Sequence, residues 1–161
     1  MQVKKFDFTY QVFDSADELS IEDKGLLEKA YEATKKAYTP YSDFKVGAAA
    51  LLEDNSVYTS ANQENASYPV TICAERALLS TIASVKPQVA VKAIAISYSD
   101  RNNKSAKPLS PCGMCRQAML EYEKRFQNKM KIILGGREGP VIVLDGCEVL
   151  LPFSFSGEDL G

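Results

Sequence analysis

An α/β layered domain is predicted for this chain by three observations. Short runs of apolar and small residues, with period-two alternation from Phe6 to Val12, are interleaved with segments in which apolar residues recur every third or fourth position. Strands alternating with helices build a sheet covered by helices. The 161 residues show neither an internal repeat nor a linker, so a single domain over residues 1–161 is expected.

The elements follow in order. In residues 1–19, Phe6, Phe8, Tyr10 and Val12 alternate with polar residues, which predicts an N-terminal extension strand, half-buried and in need of a partner. Ser20, with Asp23 three residues on, resembles a capping box and starts a helix. Leu26, Leu27, Ala30, Ala33, Ala37 and Tyr38 mark its apolar face, and it should end before Pro40. Residues 39–43 read as a turn. Phe44 to Leu52 reads as a strand whose small central residues permit close approach of a helix or ligand. Residues 53–56 form a hairpin loop, and Val57 to about Gln63 returns as a second strand. An irregular connection over 65–69 follows.

A helix is predicted from Cys73, with Ala74, Ala77, Leu78, Ile82 and Val85 on one face and Pro87 closing it. Residues 91–98 read as a strand and 99–107 as a polar loop. Ser110 as N-cap and Pro111 as first helical residue predict the next helix, with Cys115, Ala118, Met119, Tyr122 and Phe126 buried. Residues 131–134, 141–144 and 148–151 read as short strands, and 156–160 as a helical turn.

Composition narrows the function. The net charge is −2, and the 19 basic residues form no stripe. Nucleic acid binding calls for a basic surface, so a small neutral substrate is expected instead. No apolar run reaches the roughly 18 residues of a membrane span, and the N-terminus lacks a signal-peptide core, so the cytoplasm is the expected location. The chain has four cysteines and no histidine. Without histidine, Ser-His and Cys-His nucleophiles are excluded. In a cytoplasmic chain the cysteines read as metal, catalytic or core residues.

Two stretches carry the chemistry. Thr71-Ile72-Cys73-Ala74-Glu75-Arg76 supplies a thiol with a carboxylate two residues on. Ser110-Pro111-Cys112-Gly113-Met114-Cys115-Arg116 supplies a Cys-x-x-Cys pair. Residues i and i+3 share a helix face, so Cys112 and Cys115 can reach one ion. A helix N-terminus favours thiolate over thiol. Three protein ligands on zinc leave a fourth position open, as in catalytic sites. Other readings stand beside this one. A redox pair would leave Cys73-Ala74-Glu75 unexplained, and a closed structural site would need Cys147, which sits between two short strands where a buried cysteine is ordinary. Glu75 read alone is a helix-terminus carboxylate; beside a ligand it reads as a proton shuttle. Arg76 reads as a counter-charge to the thiolates or as a surface arginine.

At these residues the sequence resembles the cytidine deaminases, specifically the small homotetrameric type with three cysteine zinc ligands. The match extends to Pro40–Ala49, to Asn62-Gln63-Glu64-Asn65-Ala66-Ser67-Tyr68-Pro69, and to the C-terminal Leu150–Phe155 and Glu158-Asp159-Leu160. The resemblance implies a three-layer α-β-α fold with a mixed sheet of about five strands, to which the N-terminal strand would be added. It implies Zn2+ on Cys73, Cys112 and Cys115, with Glu75 shuttling protons and Arg76 neutralising thiolate. It implies that Asn62 and Glu64 bond the ribose 3′-hydroxyl, that Phe44 packs on the pyrimidine, and that the Ala74 backbone contacts the base. Ala66, Tyr68 and Phe155 would reach a neighbouring subunit's site in a homotetramer. The implied reaction is hydrolytic deamination of cytidine and deoxycytidine in pyrimidine salvage. A deaminase of another small aminopyrimidine, such as blasticidin S, shares the zinc motifs, and a non-catalytic zinc-stabilised binding module is the reading from a different class.

Overall fold

The computed structural model describes residues 1–102 and 104–161; of the predicted 99–107 loop, residue 103 lies outside the described residues. Six strands form one mixed sheet: β1 (Gln11–Phe13), β2 (Lys45–Leu52), β3 (Val57–Ala61), β4 (Val91–Ser99), β5 (Lys131–Gly135) and β6 (Val141–Asp145). Their order across the sheet is β1-β6-β5-β4-β2-β3. Among the described strands only β4 and β5 pair in parallel, joined by the crossover through α3 (Gly113–Phe126). Helix α1 (Ile21–Ala33) lies on one face of the sheet, and α2 (Ala74–Val85) and α3 lie on the other. The expected three layers are present.

Strand alternation divides the core in two. Ala48, Ala50 and Leu52 of β2, with Ile94 and Ile96 of β4, meet Leu78 and Ile82 of α2 and Met119 and Leu120 of α3. The residues between them, Ala49, Leu51, Ala93 and Ala95, meet Leu26, Leu27 and Ala30 of α1. On the α1 side of β2 the small residues Gly47 and Ala49 permit this second contact. A Cβ at Gly47 would strike the Ala30 carbonyl oxygen and come within 2.8 Å of the Thr34 nitrogen. Close seating of α1 requires glycine there.

Local signals set several boundaries. Ser20 caps α1, its Oγ accepting from the Asp23 N–H at 3.1 Å. Only half of the predicted box forms, because the Asp23 carboxylate turns to Lys131 Nζ at 3.0 Å on β5. Helix α1 ends at Ala33 and a 3-10 turn continues to Lys36, so Ala37 and Tyr38 leave the predicted stripe. Tyr38 instead bridges Gln63.

Three expectations need correction. The strand predicted across the N-terminus pairs only at Gln11–Phe13, and Phe6, Phe8 and Tyr10 are exposed because no element lies beside them. Residues 148–151 form a 3-10 turn over Glu148–Leu150 rather than a strand. β6 already has β5 on one side and β1 on the other, so a returning strand would find no free edge beside β6. The third helix starts at Gly113 with Cys112 as N-cap, two residues later than Ser110 and Pro111 predicted.

Glu123, near the C-terminal end of α3, is buried and ties that end to the sheet. Its Oε1 accepts from Met130 N–H at 2.7 Å and its Oε2 from Cys147 N–H at 3.0 Å. Burial pushes its carboxyl up, while the two amides pull it back. Glu123→Ala would strand two buried donors, so a loss of about 2–3 kcal/mol is expected, read as a lower denaturation midpoint. An unchanged midpoint would contradict this role. Among the described residues, no helix is long and apolar enough to cross a membrane.

Candidate metal centre

Two helix starts create the site. Cys73 is the N-cap of α2 and Cys112 the N-cap of α3, both in extended backbone, and neither side chain caps its own helix. Their carbonyls begin the helical bonding, accepting from Ala77 and Arg116 N–H at 3.0 Å each. Both thiols are therefore free to turn outward from their helices and towards each other. Cys115 sits one turn into α3, fully buried.

The three sulfurs converge. Cys73 and Cys112 Sγ are 3.7 Å apart, Cys112 and Cys115 Sγ 3.4 Å, and all three lie within 4.8 Å of one another. Tetrahedral zinc with Zn–S bonds of about 2.3 Å holds its sulfurs roughly 3.8 Å apart. The donor set and its spacing fit that ion. Cys147 is not in the cluster; it is buried at Glu123. Three protein donors, not four, is the number found in catalytic zinc sites.

Charge is distributed unevenly here. A hydrogen bond from Cys115 is the main cause that lowers Cys73 to about 6, with further help from Cys112 and the Arg76 guanidinium against an opposing burial effect. Cys115 is correspondingly pushed up by its bond to Cys73 and by burial. Glu75, in the first turn of α2, is 4% exposed. Burial raises its carboxyl first, and the Cys73 charge adds to the rise. An upward shift strengthens a carboxyl's hold on a proton, which suits it to take one as well as to give one. Arg76 Nη1 reaches Met114 Sδ at 3.6 Å, so the guanidinium spans from α2 to the Cys-x-x-Cys segment.

The Asn62–Glu64 stretch is stitched to this centre. Gln63 and Ile72 exchange both backbone hydrogen bonds at 3.0 Å, which places Asn62 and Glu64 beside the residue preceding Cys73. Asn62 Oδ1 accepts from Val46 N–H at 2.8 Å, and its Nδ2 donates to the Phe44 carbonyl at 3.0 Å. The Glu64 carboxylate accepts from Tyr41 N–H at 2.9 Å, from Ser42 N–H at 3.3 Å and from the Ser42 hydroxyl. The hydroxyl bond is the main cause holding its carboxyl low. An open cleft of about 390 Å³ lies there, lined by Tyr41, Ser42, Glu64, Tyr68 and Thr71. Phe44 stacks on Tyr98 with centroids 5.3 Å apart. Ala74 is buried at the first turn of α2, whereas Ala66 is exposed. Tyr68 is 70% exposed and Phe155 58%, and the Phe155 carbonyl accepts from Gln117 Nε2 at 2.9 Å.

The sequence model for the cytidine and deoxycytidylate deaminase zinc-binding region matches residues 20–129. The chain belongs to this deaminase family. It is 41% identical over 135 residues to a cytidine deaminase from Halalkalibacterium halodurans, covering 84% of this chain and 95% of that protein. A cytidine deaminase from Sporosarcina psychrophila is 36% identical over 135 residues, covering 84% of this chain and 92% of that one. The fold matches the crystal structure of cytidine deaminase from Burkholderia pseudomallei with a TM-score of 0.71 and 35% identity, over 85% of this chain and 100% of that one.

As a member of this family the chain takes zinc as its cofactor, in keeping with the three clustered thiols. Sequence reading missed the residues that position the deaminase centre. Arg116 Nε donates to the Pro111 carbonyl and its Nη1 to the Leu150 carbonyl, both at 2.9 Å, tying the start of the Cys-x-x-Cys segment to the turn after β6. Ser42 orders both Glu64 and Phe44, whose N–H donates to Ser42 Oγ at 3.0 Å, and Arg101 Nε donates to the Ser42 carbonyl at 3.3 Å. The residue types in this turn carried the only signal, a polar cluster with Pro40 before it.

Proposed function

We propose that this chain is a zinc-dependent cytidine deaminase that converts cytidine and deoxycytidine to uridine and deoxyuridine with release of ammonia. The observation that carries the reading is the Gln63–Ile72 bridge, which joins a cleft to a three-thiol centre with a buried carboxyl beside it. Zinc held by Cys73, Cys112 and Cys115 would supply the Lewis acidity that makes water a nucleophile near neutral pH. Glu75 takes a proton from the attacking water and gives one to pyrimidine N3, which makes C4 electrophilic. After attack at C4, Glu75 takes the remaining proton from the new C4 hydroxyl and passes it to the amine, so the C4–N bond breaks as the C4 carbonyl forms and ammonia leaves. One carboxylate serves as base and then as acid. Arg76 offsets thiolate charge, as its effect on Cys73 supports.

Asn62 and Glu64 select the nucleoside. Their bonds to Phe44, Val46, Tyr41 and Ser42 hold both side chains in place. Each retains capacity for a sugar hydroxyl, since an amide offers two donors and a carboxylate about four acceptor positions. Phe44 packs on the pyrimidine and the Ala74 backbone contacts the base. The exposed Ala66, Tyr68 and Phe155 support a homotetramer in which they complete a neighbouring subunit's pocket. The whole chain acts as one domain with residues 1–19 as an extension, in the cytoplasm, in pyrimidine salvage.

The test compares cytidine with free cytosine, following the absorbance lost on deamination, in protein assayed for metal. One zinc per chain is expected, with cytosine slower by at least about 10²-fold because it leaves the pocket's polar groups unpaired. Equal rates on the two would remove the roles given to Asn62 and Glu64. Turnover of blasticidin S without turnover of cytidine would overturn the substrate.

A further inference from the structure

Among the described residues β1 is an edge strand, with β6 on one side and no strand on the other. Leading into it, the rings of Phe6, Phe8 and Tyr10 form a ladder with centroids 6.3 and 6.0 Å apart. Side chains two residues apart on a strand are separated by roughly 6.6–6.8 Å, so this arm runs extended with its even-numbered side chains on one face. Val12 continues the face, and these four apolar residues are 47–58% exposed. Phe13 points the other way, onto the core beneath α1.

The exposed face reads Lys4, Phe6, Phe8, Tyr10, Val12, Asp14, basic at one end and acidic at the other. On the opposite face Lys5 is already paired with Asp7 at 3.1 Å. Lys4 and Asp14 form no ion pair among the described residues. Such a strand is complementary to a reversed copy of itself.

We propose that residues 4–14 pair antiparallel with the same residues of a second copy of this chain, about a two-fold axis through Thr9. Lys4 then lies opposite Asp14, Phe6 opposite Val12, Phe8 opposite Tyr10, and Thr9 opposite its own counterpart. Each arm covers the free edge of the other copy's β1, an edge that would otherwise template indiscriminate pairing. The pattern selects this register. A slip of one residue sets the aromatic face against the polar one. A slip of two places Lys4 opposite Val12, or Asp14 opposite Phe6, and loses both ion pairs.

Thr9→Cys tests the register. Directly opposed residues of antiparallel strands have Cα atoms about 4.5–5.5 Å apart, within the roughly 4.4–6.8 Å that a disulfide spans. After incubation with oxidised glutathione, this variant should give at least about tenfold more covalent dimer on a non-reducing denaturing gel than wild type or Gln2→Cys, whose thiol would not meet its own copy. Adding Asp14→Lys should suppress the cross-link by setting like charges opposite each other, and adding Lys4→Asp as well should restore it. Cross-linking of Gln2→Cys equal to that of Thr9→Cys would indicate a merely flexible tail and overturn the pairing. Indifference to the charge reversals would overturn it too.

Discussion

Glu75→Ala is expected to keep one zinc per chain and to lower cytidine turnover by about 10²–10⁴-fold. At 1.36 kcal/mol per tenfold, that is roughly 3–5 kcal/mol of lost transition-state stabilisation. Metal should be retained because the substitution leaves all three converging thiols untouched. Turnover should fall because the residue is buried beside the three thiols, 4% exposed, and burial raises its carboxyl's affinity for the proton it has to carry. Glu75→Gln keeps the shape and removes the proton chemistry, so it should be comparably impaired. Metal analysis beside steady-state rates reads both effects. Near-normal turnover in either variant would sink the shuttle assignment, and loss of zinc would recast Glu75 as a residue that holds the site together.

The second large effect is on stability. Gly47→Ala is expected to cost more than about 3 kcal/mol, because the new methyl group meets backbone atoms of α1 that cannot swing aside. For a chain of this size that is a fall of roughly 6–12 °C in melting temperature. The counterpart lies on α1 itself. A Cβ at Gly25 meets nothing within 4 Å, so Gly25→Ala should stabilise by up to about 1 kcal/mol through helix propensity alone. The same substitution at two glycines should thus have opposite signs in one thermal melt. A Gly47→Ala protein as stable as wild type would show that α1 has room to lift from the sheet.

Much of the layered fold was legible because it rests on local pattern. The i, i+3, i+4 spacing from Leu26 to Ala33 and the continuous apolar and small-residue runs of β2 and β4, buried on both faces, belong to single elements. The errors fall where an element's fate depends on a neighbour. Residues 148–151 and the Phe6–Tyr10 arm are apolar enough for strands, but a strand needs an edge. β6 has none left, and β1 offers only one. Helix α3 starts two residues late for a different reason. Pro111 fits a first helical position, yet its carbonyl is held by Arg116, and extended backbone at Cys112 turns the thiol towards Cys73.

By itself the sequence determined the chemistry. Four cysteines without a histidine, Cys73 two residues before Glu75, and Cys112 three before Cys115 confine the donor set, and these are properties of residue identity and spacing. Only the tertiary structure decided assembly. Cys73 and Cys112 are 39 positions apart in the chain and 3.7 Å apart in space, because α2 and α3 both begin at the same end of the layer they share. Burial of Glu75, the Gln63–Ile72 bridge and exclusion of Cys147 from the cluster likewise depend on sheet order and register. Register is set by cooperative burial of both faces of the sheet, which no single stretch of the chain encodes.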